Sequence, residues 1–143
     1  MSKMIFVNLP VRDLAKSMAF YEALGFTNEP RFTDETAAAM VWSDSIFVML
    51  LTHEKWKSFT DRPIPPTSAS EVSLALAMED RAAVDAMIAA AAAHGGTGDI
   101  NPVQDHGFMY GRDLLDPDGH VWGPFWMDPA VANGEAAVQA AGA

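Results

Sequence analysis

Tyr110 and Arg112 lie two residues apart in "GFMYGRDLLDPDG" and would share one face of an extended strand. A guanidinium there can grip a carboxylate or phosphate through two parallel hydrogen bonds. The chain also carries 19 Asp and Glu residues, so the same group can equally be spent on a structural ion pair. His53, His106 and His120, with Asp105, Asp113 and Asp118, offer donors that could form an improvised divalent-metal site. Each has a simpler role as well. His53 opens a loop or short helix, His120 follows a turn, and Asp116 and Asp118 suit that turn. Tyr110 or His106 could serve acid–base chemistry. No cysteine is present, which excludes disulfides, thiolate metal sites and cysteine nucleophiles. A Gly-x-Ser-x-Gly elbow, a P-loop and a dinucleotide fingerprint are all missing.

The elements that must position these groups come from an internal repeat. "IFVNLPVRD" (Ile5–Asp13) and "VSLALAMED" (Val72–Asp80) superpose without a gap, each alternating large apolar residues in the manner of a half-buried strand. Each ends on an Asp suited to cap a helix. Leu14, Met18, Tyr21 and Leu24 then form one apolar stripe closed by Gly25, and Val84, Met87, Ile88 and Ala91 form another closed at His94-Gly95-Gly96. Three strand-like stretches follow each helix: roughly 28–32, 37–42 and 45–52, then 97–101, 107–115 and 120–127. Each half therefore reads β-α-β-β-β. Between them "HEKWKSFTDRPIPPTSAS" predicts a short helix with Trp56 and Phe59, then a Pro/Ser-rich linker. From Asp128 the Ala/Gly-rich tail predicts only fraying or a docked helix.

With 143 residues, half of them hydrophobic, the chain can bury one substantial core as a single domain spanning 1–143. A net charge of -10 argues against nucleic acid or an anionic membrane as partner. "MSKMIFVNLP" is too short and too strand-like for a signal peptide, and no stretch is long enough to span a bilayer. The expectation is a soluble, cytoplasmic protein.

Tandem β-α-β-β-β halves, with "VRDLAKSMAFYEALGF" early and "DPDGHVW" late, resemble the vicinal oxygen chelate superfamily across about residues 4 to 127. That group includes glyoxalase I, extradiol dioxygenases, fosfomycin-resistance enzymes and bleomycin-binding proteins. The resemblance implies an α+β fold in which two tandem βαβββ modules form a cup-shaped curved mixed sheet. Helices would cover its outer face and the ligand would sit inside. Module one would span about 4–52, the helix and linker 53–70, module two about 71–127, and the tail 128–143. Many members dimerise, so a homodimer is expected.

Strand alternation assigns residues to the cup. On the first strands, Phe6 and Asn8 face it in module one, and Ser73, Ala75 and Ala77 in module two. The small residues either leave room for a ligand or accommodate a close neighbouring strand. If Asp116–Gly119 is a four-residue loop, Leu115 pairs with His120, Arg112 with Gly123 and Tyr110 with Phe125. Tyr110, Arg112, Leu114, Val121, Gly123 and Phe125 then share the cup face, with Met109, Trp122 and Trp126 behind it. Pro124, lacking an N–H, belongs at an edge or bulge. Trp42, Trp56 and Phe108 could add to the pocket from strands and loops, but suit core or lid packing better.

Metal-dependent members of the family carry His, Gln or Glu on the first and last strands of each module. Here the matching positions are Phe6, Ser73, Gly123, and Met49 or Leu50. None is a good ligand for a hard divalent ion, so no metal and no other cofactor is expected. The reading that results is a metal-independent binder of a small molecule in an aromatic-lined cup. Its ligand-binding residues would be Phe6, Asn8, Ser73, Tyr110, Arg112 and Phe125, with Arg112 favouring an anionic ligand. The alternative is a lyase, isomerase or dioxygenase that uses a non-standard metal site or acid–base residues. A third reading is a structural or regulatory dimer with its cup filled by its own side chains.

Overall fold

The computed structural model describes residues 3–134 and has the α+β architecture the repeat predicts. Two compact units divide the chain, one of Met1–Ser70 with Pro117–His120 and the other of Glu71–Asp116 with Val121–Ala143.

In the first unit, β1 (Ile5–Val11) leads into α1 (Leu14–Leu24), capped by Asp13, whose carboxylate accepts from the Lys16 N–H. Gly25 closes the helix at φ 113°, a conformation glycine adopts without steric cost. β2 (Thr27–Glu29), β3 (Ala37–Val41) and β4 (Ile46–Thr52) complete a sheet of order β1-β4-β3-β2, in which β1 and β4 are parallel and the other pairs antiparallel. The expected strand through Phe32 stops early because Pro30 begins a turn of 3-10 helix. Phe20, Tyr21, Met40, Val48 and Leu50 form a fully buried core. Phe26 packs edge-on against Tyr21 at 5.4 Å and lies 4.9 Å from Trp42, so Trp42 is spent on packing. α2 (His53–Phe59) follows β4 directly, as predicted.

In the second unit, β5 (Ser73–Ala77) leads to α3 (Arg81–Ala93), capped by Asp80 through the Ala83 N–H. β6 (Thr97–Gly98), β7 (Gln104–Asp105), β8 (Met109–Gly111), β9 (Leu114–Leu115) and β10 (Val121–Met127) finish the unit, before the short helix α4 (Pro129–Ala132). β10 runs parallel to β5 on one side and antiparallel to β8 and β9 on the other. Two expectations are corrected here. The single strand expected over 107–115 is two short strands, and Pro124 lies in a central strand, away from any edge. The two corrections share one cause. The Pro124 carbonyl accepts from the Arg112 N–H at 3.2 Å, but proline offers no N–H in return. The ladder is interrupted there, between β8 and β9.

The last hairpin carries a third correction. Leu115 pairs with Val121, Gly111 with Phe125 and Tyr110 with Trp126, one residue out of the expected register. The loop holds five residues, Asp116–His120, with Gly119 at φ +86° supplying the additional left-handed residue. Because side chains alternate, one step reverses the face of the whole partner strand. Tyr110 and Arg112 move to the α3 side with Trp122 and Trp126. Met109, Gly111 and Asp113 move to the open side with Gly123 and Phe125.

Candidate functional site

In the first unit, the open face of the sheet is built by β1 and β4. Phe6 pairs with Phe47, and Asn8 with Met49. The Phe6 and Phe47 rings stack 4.6 Å apart and nearly parallel, at 11°. Phe6 remains 54% exposed, which is unusual for an aromatic inside a sheet. Together with Met4, Phe32, Val41 and Met49 these rings line a cavity of about 640 Å³. Asn8, Glu29 and Arg31 supply its polar border. Arg31 is held by Glu29 through two hydrogen bonds of 3.0 and 2.7 Å, so both charges are spent on each other. The Arg31 guanidinium keeps the Glu29 carboxyl below its usual range. Phe6 and Asn8 therefore share a cavity wall, whereas Phe47, Met49 and Phe32 were not singled out as pocket residues from the sequence. The clue to Phe47 was its place two residues before Met49 on a strand parallel to β1.

In the second unit, the open face carries Ser73, Ala75, Met109, Gly111, Gly123 and Phe125 around a shallower cavity of about 390 Å³. The small residues of β5 leave space, and Asp113 enters it. A Cβ built on Gly123 would lie 2.8 Å from Asp113 Oδ1, while Asp113 Oδ2 accepts from the Asn101 amide at 2.9 Å. The vacancy at Gly123 is thus occupied by a carboxylate from the neighbouring strand segment. Arg112 was expected beside it.

Arg112 and Tyr110 are engaged elsewhere. Arg112 donates to Asp99 at 2.8 and 2.6 Å and to Asp85 at 2.8 Å, and Tyr110 donates to Asp85 at 2.6 Å. Of the two roles open to Arg112, the structural ion pair is the one its guanidinium fulfils. Hydrogen bonds from Tyr110, and then Arg112, hold the Asp85 carboxyl below its usual range. Arg112 does the same for Asp99. The bond to Asp85 raises the Tyr110 hydroxyl above the usual phenol range. Arg81 stacks over Tyr110 and Trp126, with its charge centre 4.8 and 5.4 Å from the two ring centres, while pairing with Asp105. Asp105 is therefore not available to His106, whose buried Nδ1 has no partner among the described residues.

The four positions matching the family's metal ligands can now be fixed. The repeat matches Asn8 to Ala75, and these pair with Met49 and Gly123 respectively. Met49 is therefore the counterpart of Gly123, and Leu50 is a wholly buried core residue on the other face. Phe6 and Met49 in one unit, with Ser73 and Gly123 in the other, do not fit a divalent ion, since Phe and Gly offer no side-chain donor. Among the described residues, no three His, Asp or Glu side chains converge as a metal cluster. No helix among them is long and apolar enough to cross a membrane.

Solved structures share this fold. A hypothetical protein of S. aureus is 25% identical with a TM-score of 0.73, over 88% of this chain and 95% of its own. A glyoxalase/bleomycin resistance protein/dioxygenase family enzyme from Burkholderia phytofirmans PsJN is 20% identical with a TM-score of 0.71, over 88% and 99%. A bleomycin resistance determinant encoded on the transposon Tn5 is 21% identical with a TM-score of 0.61, over 89% and 99%. Curated proteins give no match. Residues 3–123 match the family model of the Glyoxalase/Bleomycin resistance protein/Dioxygenase superfamily. Because that match covers most of the chain, from β1 into the start of β10, the chain belongs to the Glyoxalase/Bleomycin resistance protein/Dioxygenase superfamily.

Proposed function

We propose that this protein binds a planar apolar small molecule on the open face of its first unit, without a metal ion. The stacked and half-exposed Phe6–Phe47 pair, on the wall of a cavity of about 640 Å³, carries this reading. Stacked rings in an apolar recess give a flat ligand area and shape to match, and Asn8 offers one orienting amide. Arg112, once the argument for an anionic ligand, is committed to Asp85 and Asp99. The chain's -10 charge then favours a neutral or cationic molecule. Bleomycin, named for the Tn5 relative, is a natural first probe beside simpler aromatic cations such as ethidium. Calorimetric titration of chelator-treated protein tests the proposal. Saturable binding that added Zn, Ni, Mn or Fe leaves unchanged supports it, and binding that appears only with metal removes it.

The protein is also proposed to work as a homodimer, because Met4, Ile5 and Val72 are more than half exposed to water. Light scattering at two protein concentrations tests this, and a strictly monomeric mass at both removes it.

A second reading, acid–base catalysis, is favoured by one observation: Asp113 presents a carboxylate beside Gly123 on the open face of the second unit. Here Asp113, and not Tyr110 or His106, would be the base. An Asp113→Asn variant that leaves turnover of a confirmed substrate unchanged removes this reading.

A further inference from the structure

A second cavity of about 460 Å³ lies within the first unit, away from the Phe6–Phe47 face. It draws together nitrogen-bearing side chains from distant parts of an acidic sequence. Arg12 follows β1, and His53 and Lys57 are four residues apart on α2, which puts them on one helical face. Asp118 is the single carboxylate among the lining residues, and it is already neutralised. Its Oδ1 accepts from the Arg12 backbone N–H at 3.0 Å and from Arg12 Nε at 2.9 Å. A further Arg12 donor, Nη2, reaches the Pro117 carbonyl, leaving Nη1 without an acceptor among the described residues. His53 and Lys57 have no hydrogen-bond or ion-pair partner among those residues either. His120 also borders the cavity, but its Nε2 donates to the Pro10 carbonyl at 2.8 Å and is committed there. Pro63, Ile64, Pro65 and Pro66 give the same cavity an apolar wall.

With Arg12 balanced by Asp118, the Lys57 ammonium is left uncompensated at the cavity beside two further N–H groups, which suits an oxyanion better than a structural role. We propose that this cavity binds a small phosphorylated molecule, its phosphate held by Lys57, His53 and the outer amino group of Arg12, and its carbon skeleton laid on the proline wall. Phosphate is favoured over a carboxylate because it offers more acceptor oxygens and a charge near -2 to donors arriving from several directions. The proline segment is rigid and needs little ordering to form such a wall. The linker packs closely on the turn, since any Cβ on Gly119 would collide with the Thr67 carbonyl.

Inorganic phosphate titrated into ¹⁵N-labelled protein tests the site, with potassium chloride at matched ionic strength and sodium acetate as separate arms. Saturable shifts at the amides of Lys57, Thr67, Gly119 and His120 are expected with phosphate, with acetate binding more weakly. Lys57→Gln should weaken phosphate binding about tenfold. Lys55→Gln, on a side chain that lies over the Phe59 ring at 5.3 Å, should leave it unchanged. Lys57 is exposed, so its loss does not endanger the fold. Shifts that potassium chloride reproduces, that acetate matches or exceeds, or that both lysine variants weaken equally would overturn the proposal.

Discussion

Asp113 Oδ1 stands 2.8 Å from where the first side-chain atom of Gly123 would be, so a carboxylate from the β8–β9 junction fills the space beside that glycine. The residue at position 123 and the conformation of Asp113 are therefore coupled. Gly123→Ala should destabilise the protein by about 1–2 kcal/mol, the scale of modest overpacking. The same change in an Asp113→Ala background should cost clearly less. Urea denaturation of the four members of the cycle measures the coupling, and strictly additive costs would contradict it.

Arg112 should matter to stability in a pH-dependent way. The Asp85 and Asp99 carboxyls have folded-state values below their unfolded ones, so their contribution is present above about pH 4 and lost as acid protonates them in the folded state. Both are substantially exposed, which limits the effect to about 1 kcal/mol. The gap in stability between wild type and Arg112→Gln should be present at about pH 7 and shrink towards about pH 3. A gap that widens in acid would contradict the assignment of Arg112 to these two partners. Ligand binding at the first unit should be unchanged in the same variant.

The turn 117–120 should be sensitive at two adjacent positions for different reasons. Asp118 is 7% exposed and accepts from Arg12 and from Ser17 Oγ. Its replacement by Ala leaves those donors without an acceptor and should cost about 2 kcal/mol. Gly119→Ala meets both a positive φ and the Thr67 backbone, so it should cost at least as much. Thermal melts of the two variants check this, and a Gly119→Ala protein as stable as wild type would contradict the packing of the linker on the turn.

The sequence revealed both modules because their evidence is local: matched first strands, an Asp cap before each helix, and glycines where the helices stop. The expectation of no family-type metal rests on residue type alone, since Phe6 and Gly123 carry no side-chain donor. The open sheet faces were only half legible. Phe6, Asn8, Ser73 and Phe125 lie on open sheet faces as expected, but Tyr110 and Arg112 were assigned through a hairpin register. One additional residue in the Asp116–His120 loop reverses that assignment. A turn of Pro-Asp-Gly is compatible with either loop length, so nothing in its composition distinguishes them. Asp85 and Asp99, which hold Arg112, lie 27 and 13 residues away from it in sequence, beyond any local pattern. Phe47 was hidden differently: its partner Phe6 is reached through a parallel pairing, whose register a connecting turn does not set.

The most direct test of metal-free aromatic binding is a titration of chelator-treated wild type and Phe47→Ala with the same planar aromatic cation, followed by fluorescence. Wild type should bind saturably with no metal present. Phe47→Ala should bind up to about tenfold more weakly, the scale of one lost stacking contact, with its fold intact. Equal affinity in the two proteins, or binding that requires an added divalent ion, would contradict the proposal.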